Sequence, residues 1–340
     1  MKKTDFTFQI HVTNKCEYNC KYCYLENKSN EMDIATFDIV LDKIKQFESN
    51  LEKTLNREVN IKCNLTGGNP LLQKNIRYFI DSLKKYNVGI LGNPILNEDQ
   101  LCVIDDNKNH IRAYQMSLDE KRSKGYEKEL INSINILSYL GIRVIIAYNI
   151  NNKNIDMVCG AYKKMSKYDV SGFVISRIAY DNNIIESAKY KKMLYKLIEL
   201  EKKYKLKIHY KEPLFSLCLY EKGLLKIDDT NKIRGGCSIG LKLFCIGTNG
   251  DIYPCSRLKK VVGNVKTDNF ENVYVNNEYM KSLRNKTTYG KCGKCELYRY
   301  CRGCIAVDSE NITCWKSSYD INTEYDMSIY ESMARKTGGC

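Results

Sequence analysis

Three cysteines fall within eight residues in the stretch TNKCEYNCKYCYLENK: Cys16, Cys20 and Cys23. Lys, Asn, Glu and Tyr surround them, so they do not read as buried small hydrophobes. The start MKKTDFTFQIHV is too polar for a secretory signal, and no apolar run approaches a membrane-spanning length. These features predict a cytoplasmic chain, in which thiols stay reduced. Clustered reduced thiols serve as metal or catalytic sites. Four thiolates would close the coordination sphere of a zinc ion. Three local ligands leave one position open, which suits a [4Fe–4S] cluster with one iron free for another ligand.

Such a loop must be carried by something rigid. Strand-like runs at 6–12, 58–65, 88–92, 111–118, 142–150 and 170–180 alternate with helical patterns at 33–55, 73–86, 127–140, 154–167 and 187–204. Asn93-Pro94 breaks the chain after the third run. Six β/α units predict a parallel sheet with outer helices, and six are too few for a closed eight-unit barrel. In such architectures sites form at the carboxyl ends of the strands. The three-cysteine loop follows the first strand and so belongs to that end.

The C-x3-C-x2-C spacing, with Tyr22 just before the last cysteine, resembles the radical S-adenosylmethionine (SAM) signature. The resemblance implies an α/β fold, a partial (β/α)6 TIM-like barrel. It implies that the open iron chelates the amino and carboxylate groups of SAM, and that an electron from the cluster splits the sulfonium to give a 5′-deoxyadenosyl radical. Gly67-Gly68-Asn69-Pro70 resembles the family's Gly-Gly-Glu-Pro segment, which runs beside the methionine part of SAM. Glycines let a backbone approach a ligand closely. Asn69 stands where the family has Glu, and its side chain accepts without charge. Ser117-Leu118-Asp119 resembles a family segment whose Ser reaches SAM; the other reading has Ser117 and Asp119 capping the next helix or turn. Tyr22 and Asn149 are placed at the SAM site by the same resemblance, and Gly92-Asn93 near the adenine. Arg177, in an apolar run, needs a partner, for which a carboxylate of SAM or substrate is expected.

A second field of eight cysteines runs from Cys237 to Cys314, in a chain of 340 residues with sixteen cysteines. Cys237 opens a C-x12-G-x4-C pattern through Gly250 to Cys255, and Cys292 opens C-x2-C-x5-C-x2-C. Alone, the second pattern would also fit a zinc ribbon. Beside the first motif the field resembles the SPASM domain, a C-terminal extension of radical SAM peptide-modifying enzymes. The resemblance implies two auxiliary [4Fe–4S] clusters, three in all with the SAM cluster. Cys237, Cys245, Cys255 and Cys304 would hold the nearer one, and Cys292, Cys295, Cys301 and Cys314 the farther. Eight thiolates ligate two such clusters completely. Residues 244–253 read as a hairpin turning at Asn249-Gly250, with little of its own to bury, so that the clusters supply much of its folding energy. The expected organisation is a barrel over 1–205, a bridge over 206–235, the SPASM segment over 236–315 and a polar tail over 316–340.

The chain is 43% hydrophobic and 28% charged, with a formal charge of +14 from lysines spread along it. That is a solvated surface, or one that attracts an acidic peptide; no compact basic run with interleaved aromatics points to nucleic acid. The expected activity is maturation of a ribosomally made peptide or protein, ending in an oxidative cross-link (thioether or C–C). A flavodoxin or ferredoxin type of electron donor is implied. The chain starts straight into its first strand, so a separate leader-binding protein is a further expected partner. Radical epimerisation is the alternative, and it needs a cysteine hydrogen donor. Five cysteines remain for that role, Cys63, Cys102, Cys159, Cys218 and Cys340, with Cys63 and Cys218 the candidates. Formylglycine formation uses an Asp after the third early auxiliary cysteine, where this chain has Ser256. A zinc-binding interaction protein is the non-enzymatic alternative.

Overall fold

The computed structural model describes residues 4–118, 125–179, 185–227, 235–307 and 313–316. Asp119, Cys340 and the expected tail beyond residue 316 lie outside these. Six strands, β1 (Thr4–Thr13), β2 (Val59–Gly67), β3 (Asn87–Gly92), β4 (Ile111–Leu118), β5 (Arg143–Ile150) and β6 (Gly172–Arg177), alternate with helices. Each is parallel to the next. Three more strands, β7 (Leu243–Ile246), β8 (Asp251–Tyr253) and β9 (Gly263–Asn264), extend the same sheet beyond β1. The order is β6-β5-β4-β3-β2-β1-β7-β8-β9. The first six strands thus wind in one direction, as in a barrel, and the sheet stays open. Among the described residues no helix is long and apolar enough to cross a membrane.

Helix α1 (Ile34–Leu55) shows why the units form. Asp33 caps it by accepting from the Thr36 amide at 2.6 Å. Phe37, Val40, Leu41, Ile44, Phe47 and Leu51 recur at helical spacing and are buried. Asn56 ends the helix in the left-handed conformation, φ 50°. Helices α2 (Ile76–Ser82), α3 (Glu98–Asp106), α4 (Glu127–Tyr139), α5 (Val158–Met165) and α6 (Ser187–Tyr204) follow the later strands. Helix α3 is absent from the expected pattern. Its start is a capping box in which the Asn97 and Gln100 side chains each accept from the other's backbone amide.

The hairpin of β7 and β8 turns at Gly250, φ +90°, as expected. It is not starved of core, however. Strand β7 pairs in parallel with β1, setting Phe244 beside Phe8. The Phe244 ring stacks on Phe8 at 5.6 Å and meets Phe270 at 5.0 Å and Phe47 of α1 at 5.7 Å. Burying one such ring contributes about 1.5–3 kcal/mol, so the hairpin is held by the sheet's own aromatic core. The helix Phe270–Asn276 closes this core, and Asn50 of α1 donates to Glu271 at 2.8 Å. The sheet therefore runs without interruption from the barrel strands into the cysteine-rich segment.

Candidate metal centres at the strand ends

The three-cysteine loop leaves β1 and returns to it. Thr13 bridges Glu31, the Asn14 amide donates to the Asn30 carbonyl at 2.7 Å, and the Met32 amide to the Val12 carbonyl at 2.9 Å. Buried Gln73 locks this neck by donating to the carbonyls of Val12 and Met32. Cys16, Cys20 and Cys23 are half-buried in the loop, as is Tyr22. The Cys16 sulfur accepts from the Tyr18 amide and from Asn93 Nδ2, each at 3.5 Å. Lys28 Nζ donates to the Cys23 sulfur at 3.0 Å. A cation and two N–H donors are thus aimed at sulfur in this loop.

His11 lies buried beneath this loop, edge-on to Tyr24 at 6.0 Å. Burial depresses its pKa from the usual 6.5 to about 4. Between those values the unfolded chain binds more protons than the fold, so stability is full above pH 6.5 and falls as the pH drops towards 4. We expect a loss of about 2 kcal/mol from this group between pH 7 and 5. Urea denaturation of wild type and His11→Gln at both pH values checks it; equal slopes would contradict it.

The Gly67-Gly68-Asn69-Pro70 segment is placed differently from expectation. Both glycines are approached closely, but by the chain itself. The Gly68 amide donates to the Thr13 carbonyl at 2.8 Å and the Asn69 amide to the Lys15 carbonyl at 2.7 Å. Gly67 has φ +140° and packs against the Thr13 carbonyl. The glycines thus seat the cysteine loop on the end of β2. Asn69 is fully buried; its Oδ1 accepts from the Leu71 amide at 3.3 Å and its Nδ2 donates to Glu17 at 2.8 Å.

Glu17, which sequence reasoning passes over, is the focus of this end of the barrel. Its carboxylate accepts from Asn69, from Asn93 at 2.6 Å and from Gln100 at 2.6 Å. All three amide side chains are buried. The Gln100 oxygen is engaged in the α3 capping box, and that of Asn69 in its own turn, so their NH2 groups are the ends left to face Glu17. The ends of β2, β3 and α3 therefore grip the residue next to Cys16. The capping box Asn97-x-x-Gln100 is the available signal for α3, though not for its contact with Glu17.

Ser117 lies at the carboxyl end of β4, beside Ala147 of β5. Asn149 lies near the end of β5, and its carbonyl accepts from Asn154 at 2.9 Å. Arg177 does not await a ligand carboxylate. Its guanidinium pairs with Glu212, Nη2 at 2.9 Å and Nε at 3.1 Å, and both side chains are under 5% exposed. The Tyr190 ring covers the guanidinium at 5.5 Å. Cys63, in the middle of β2, and Cys218 are both buried. Cys63 is in register with Phe8 and shares its helix-covered face, near Glu48 of α1. Burial pushes its thiol far above the usual range. Cys218, on the helix Phe215–Glu221, lies near Glu221 and Lys191 of α6, and burial pushes it up to about 12.

The later cysteines gather in two groups. Cys237 is pushed up to about 12 by burial, with Cys304 and Cys255 adding to the effect. Cys245 is raised well above its usual value by burial and by Cys255, and its thiol donates to Gln9 at 3.2 Å. Arg257 lies beside this group and donates to the Arg177 carbonyl at 3.0 Å. Tyr24 lies near Cys23, Cys245 and Cys255. The second group, Cys292, Cys295, Cys301 and Cys314, lines one small cavity. Cys301 is raised well above its usual value by burial, and further by the other three.

Buried thiols that oppose each other's ionisation are inert as acids, and a bound cation reverses that balance. Among the described residues no three Cys, His, Asp or Glu side chains converge on a single metal ion. A cubane spreads its thiolates over separate irons. The cavity and the two four-thiol groups fit such a body.

Residues 237–305 match the family model of the SPASM iron–sulfur cluster-binding domain. The sequence is 20% identical over 326 residues to an AdoMet-dependent heme synthase of Methanosarcina barkeri, covering 87% of this chain and 89% of that one. In structure it is similar to Streptococcus suis SuiB bound to its precursor peptide SuiA. The TM-score is 0.68 at 16% identity, covering 94% of this chain and 75% of that one. It is similar also to anSMEcpe with bound AdoMet and the Cp18Cys peptide, with a TM-score of 0.66 at 14% identity over 97% and 96% of the two chains. Residues 237–305 are thus a SPASM iron–sulfur cluster-binding domain, set behind an open sheet that shares the fold of SuiB and anSMEcpe and carries three thiols in the loop after its first strand.

Proposed function

We propose that this chain is a radical SAM enzyme that matures a ribosomally made peptide by an oxidative cross-link, thioether or C–C. The observation that carries the reading is a triplet of thiols in the loop after β1 beside two later groups of four neighbouring thiols. When bound, SAM and a four-iron cluster with an open iron supply a 5′-deoxyadenosyl radical for hydrogen abstraction, and two fully ligated clusters supply a sink for the electron released as the cross-link forms. Cys16, Cys20 and Cys23 would hold the first cluster. Cys237, Cys245, Cys255 and Cys304 would hold the second, and Cys292, Cys295, Cys301 and Cys314 the third. Glu17, clamped by three amides, keeps the first loop over the strand ends. Tyr22, Gly67, Gly68, Asn69, Pro70, Ser117 and Asn149 would line the SAM site. Asn69 does so as a buried, neutral group whose amide is already committed to Glu17. A small flavodoxin or ferredoxin type of donor, a separate leader-binding protein and a cytoplasmic setting complete the reading.

The burial of Cys63 on the helix-covered face of β2 weighs against it as the hydrogen donor of an epimerisation, and Ser256 weighs against formylglycine formation. The name of the Methanosarcina relative favours a second reading, a tetrapyrrole substrate. Anaerobic incubation of the reconstituted enzyme with SAM, reductant and peptides encoded beside its gene tests the choice. We expect 5′-deoxyadenosine together with a peptide lighter by two hydrogens. A mass unchanged in H2O, with one solvent deuterium taken up at carbon in D2O, would mean epimerisation. Turnover of a porphyrin precursor and of no peptide would establish the second reading.

A further inference from the structure

Arg302 lies between Cys301 and Cys304 in sequence, close to a ligand of each proposed auxiliary centre. It is fully buried, and its backbone takes the left-handed conformation, φ 64°. Its Nη1 donates to the Cys237 carbonyl at 2.7 Å. Its Nη2 donates to the carbonyls of Leu283 and Ile239, at 2.8 and 3.2 Å, and to the Tyr289 hydroxyl at 2.6 Å. The Tyr289 ring lies 5.0 Å from the guanidinium. The side chain also lines the cavity of Cys292, Cys295, Cys301 and Cys314. Its Nε, beside Tyr298, is buried and meets no acceptor at hydrogen-bond geometry among the described residues.

The hydrogen bonds satisfy the donors but not the charge. Every acceptor is neutral, and among the described residues no carboxylate pairs with Arg302. The other cation on the cavity wall, Lys316, does have one, Glu296 at 2.5 Å. A buried cation without a counter-charge is costly. Four thiolates on a four-iron core carry net negative charge, and reduction adds one more. A fixed positive charge beside such a core favours its reduced form, since net charge and hydrogen bonds to sulfur set the potential.

We propose that Arg302 is the shared counter-charge of the two auxiliary iron–sulfur centres, and that it raises the reduction potential of the centre on Cys292, Cys295, Cys301 and Cys314. This rests on the ligand sets proposed above. The test is an EPR-monitored redox titration of full-length reconstituted protein, with iron counted in each sample. Arg302→Gln shifts the distal centre's reduction equilibrium at least tenfold towards the oxidised form, which is about 59 mV or more for one electron. Arg302→Lys, which keeps the charge and loses the fork, stays nearer wild type.

A loaded Arg302→Gln protein with the wild-type potential overturns the inference and leaves the ligand assignment intact. Wild-type protein with no centre on these four thiols overturns both. Where neither variant takes up iron, wild type carrying 15N-guanidinium arginine answers instead. Arg302 is the one arginine lining this cavity among the described residues. Pulsed EPR of the reduced distal centre then shows 15N coupling, and its absence overturns the inference.

Discussion

Gly68→Ala is expected to leave the C-terminal iron in place while emptying the N-terminal site. A Cβ at position 68 would stand 2.1 Å from the Lys15 carbonyl oxygen and 2.6 Å from that of Asn14. Both are backbone atoms, so no side-chain rotation relieves the clash, and the cysteine loop has to move. Its movement breaks the bonds from the Gly68 and Asn69 amides to Thr13 and Lys15. It also pulls Glu17 from the three amides that grip it. A shift near 1 Å at a reacting centre costs on the order of 100-fold in rate. We expect SAM cleavage to fall by that much or more, with about four irons lost per chain. Gly160→Ala is the control. It lies in α5 with nothing within 4 Å of the added carbon, so it should be neutral or stabilise by about 0.5–1 kcal/mol. Full iron and full SAM cleavage in Gly68→Ala would mean that the loop is not seated as described.

Glu212→Ala is the second large effect. It leaves the Arg177 guanidinium buried without its carboxylate, and breaking one side of a buried pair costs about 3–5 kcal/mol. The damage should spread beyond the pair. The Arg177 carbonyl accepts from Arg257, which lies beside the thiols of Cys255 and Cys304. The proximal cluster should therefore be lost at lower urea than in wild type. Replacing both partners with apolar residues, as in Arg177→Met/Glu212→Leu, should recover most of the stability, since the desolvation cost disappears with the pair. Anaerobic urea titration followed by far-UV circular dichroism and by cluster absorbance measures both. A Glu212→Ala protein within about 1 kcal/mol of wild type would show that the pair is not the buried bridge described here.

Local patterns are legible in the sequence, and tertiary partners are not. Strand β4 at 111–118 and helix α6 at 187–204 match the expected spans, because their periodicities are strong and their ends are marked. Helix α3 escapes because EDQLCVIDD has weak apolar periodicity; the signal is the capping pair at Asn97 and Gln100. Gly67 and Gly68 suggest room for a ligand. Their type announces a close approach but does not say to what, and the approaching group is the backbone of the preceding loop. Arg177 announces the need for a partner, but Glu212 lies 35 residues away with no local pattern to connect them. The hairpin looks poor in core because its neighbour, β1, is more than two hundred residues earlier in the chain. The iron–sulfur character of the later cysteine field is legible in its short fixed spacing, and residues 237–305 match a cluster-binding domain.

The central claim is that the loop after β1 holds a four-iron centre whose open iron serves SAM. Iron, sulfide and zinc counted per chain, with SAM cleavage assayed on the same samples, test it most directly. The comparison is between anaerobically reconstituted wild type and Cys16→Ala/Cys20→Ala/Cys23→Ala. The account predicts about twelve irons in wild type and about eight in the variant, with SAM cleavage abolished. A variant that keeps all its iron and still cleaves SAM, or a wild type that carries zinc and almost no iron, would contradict it.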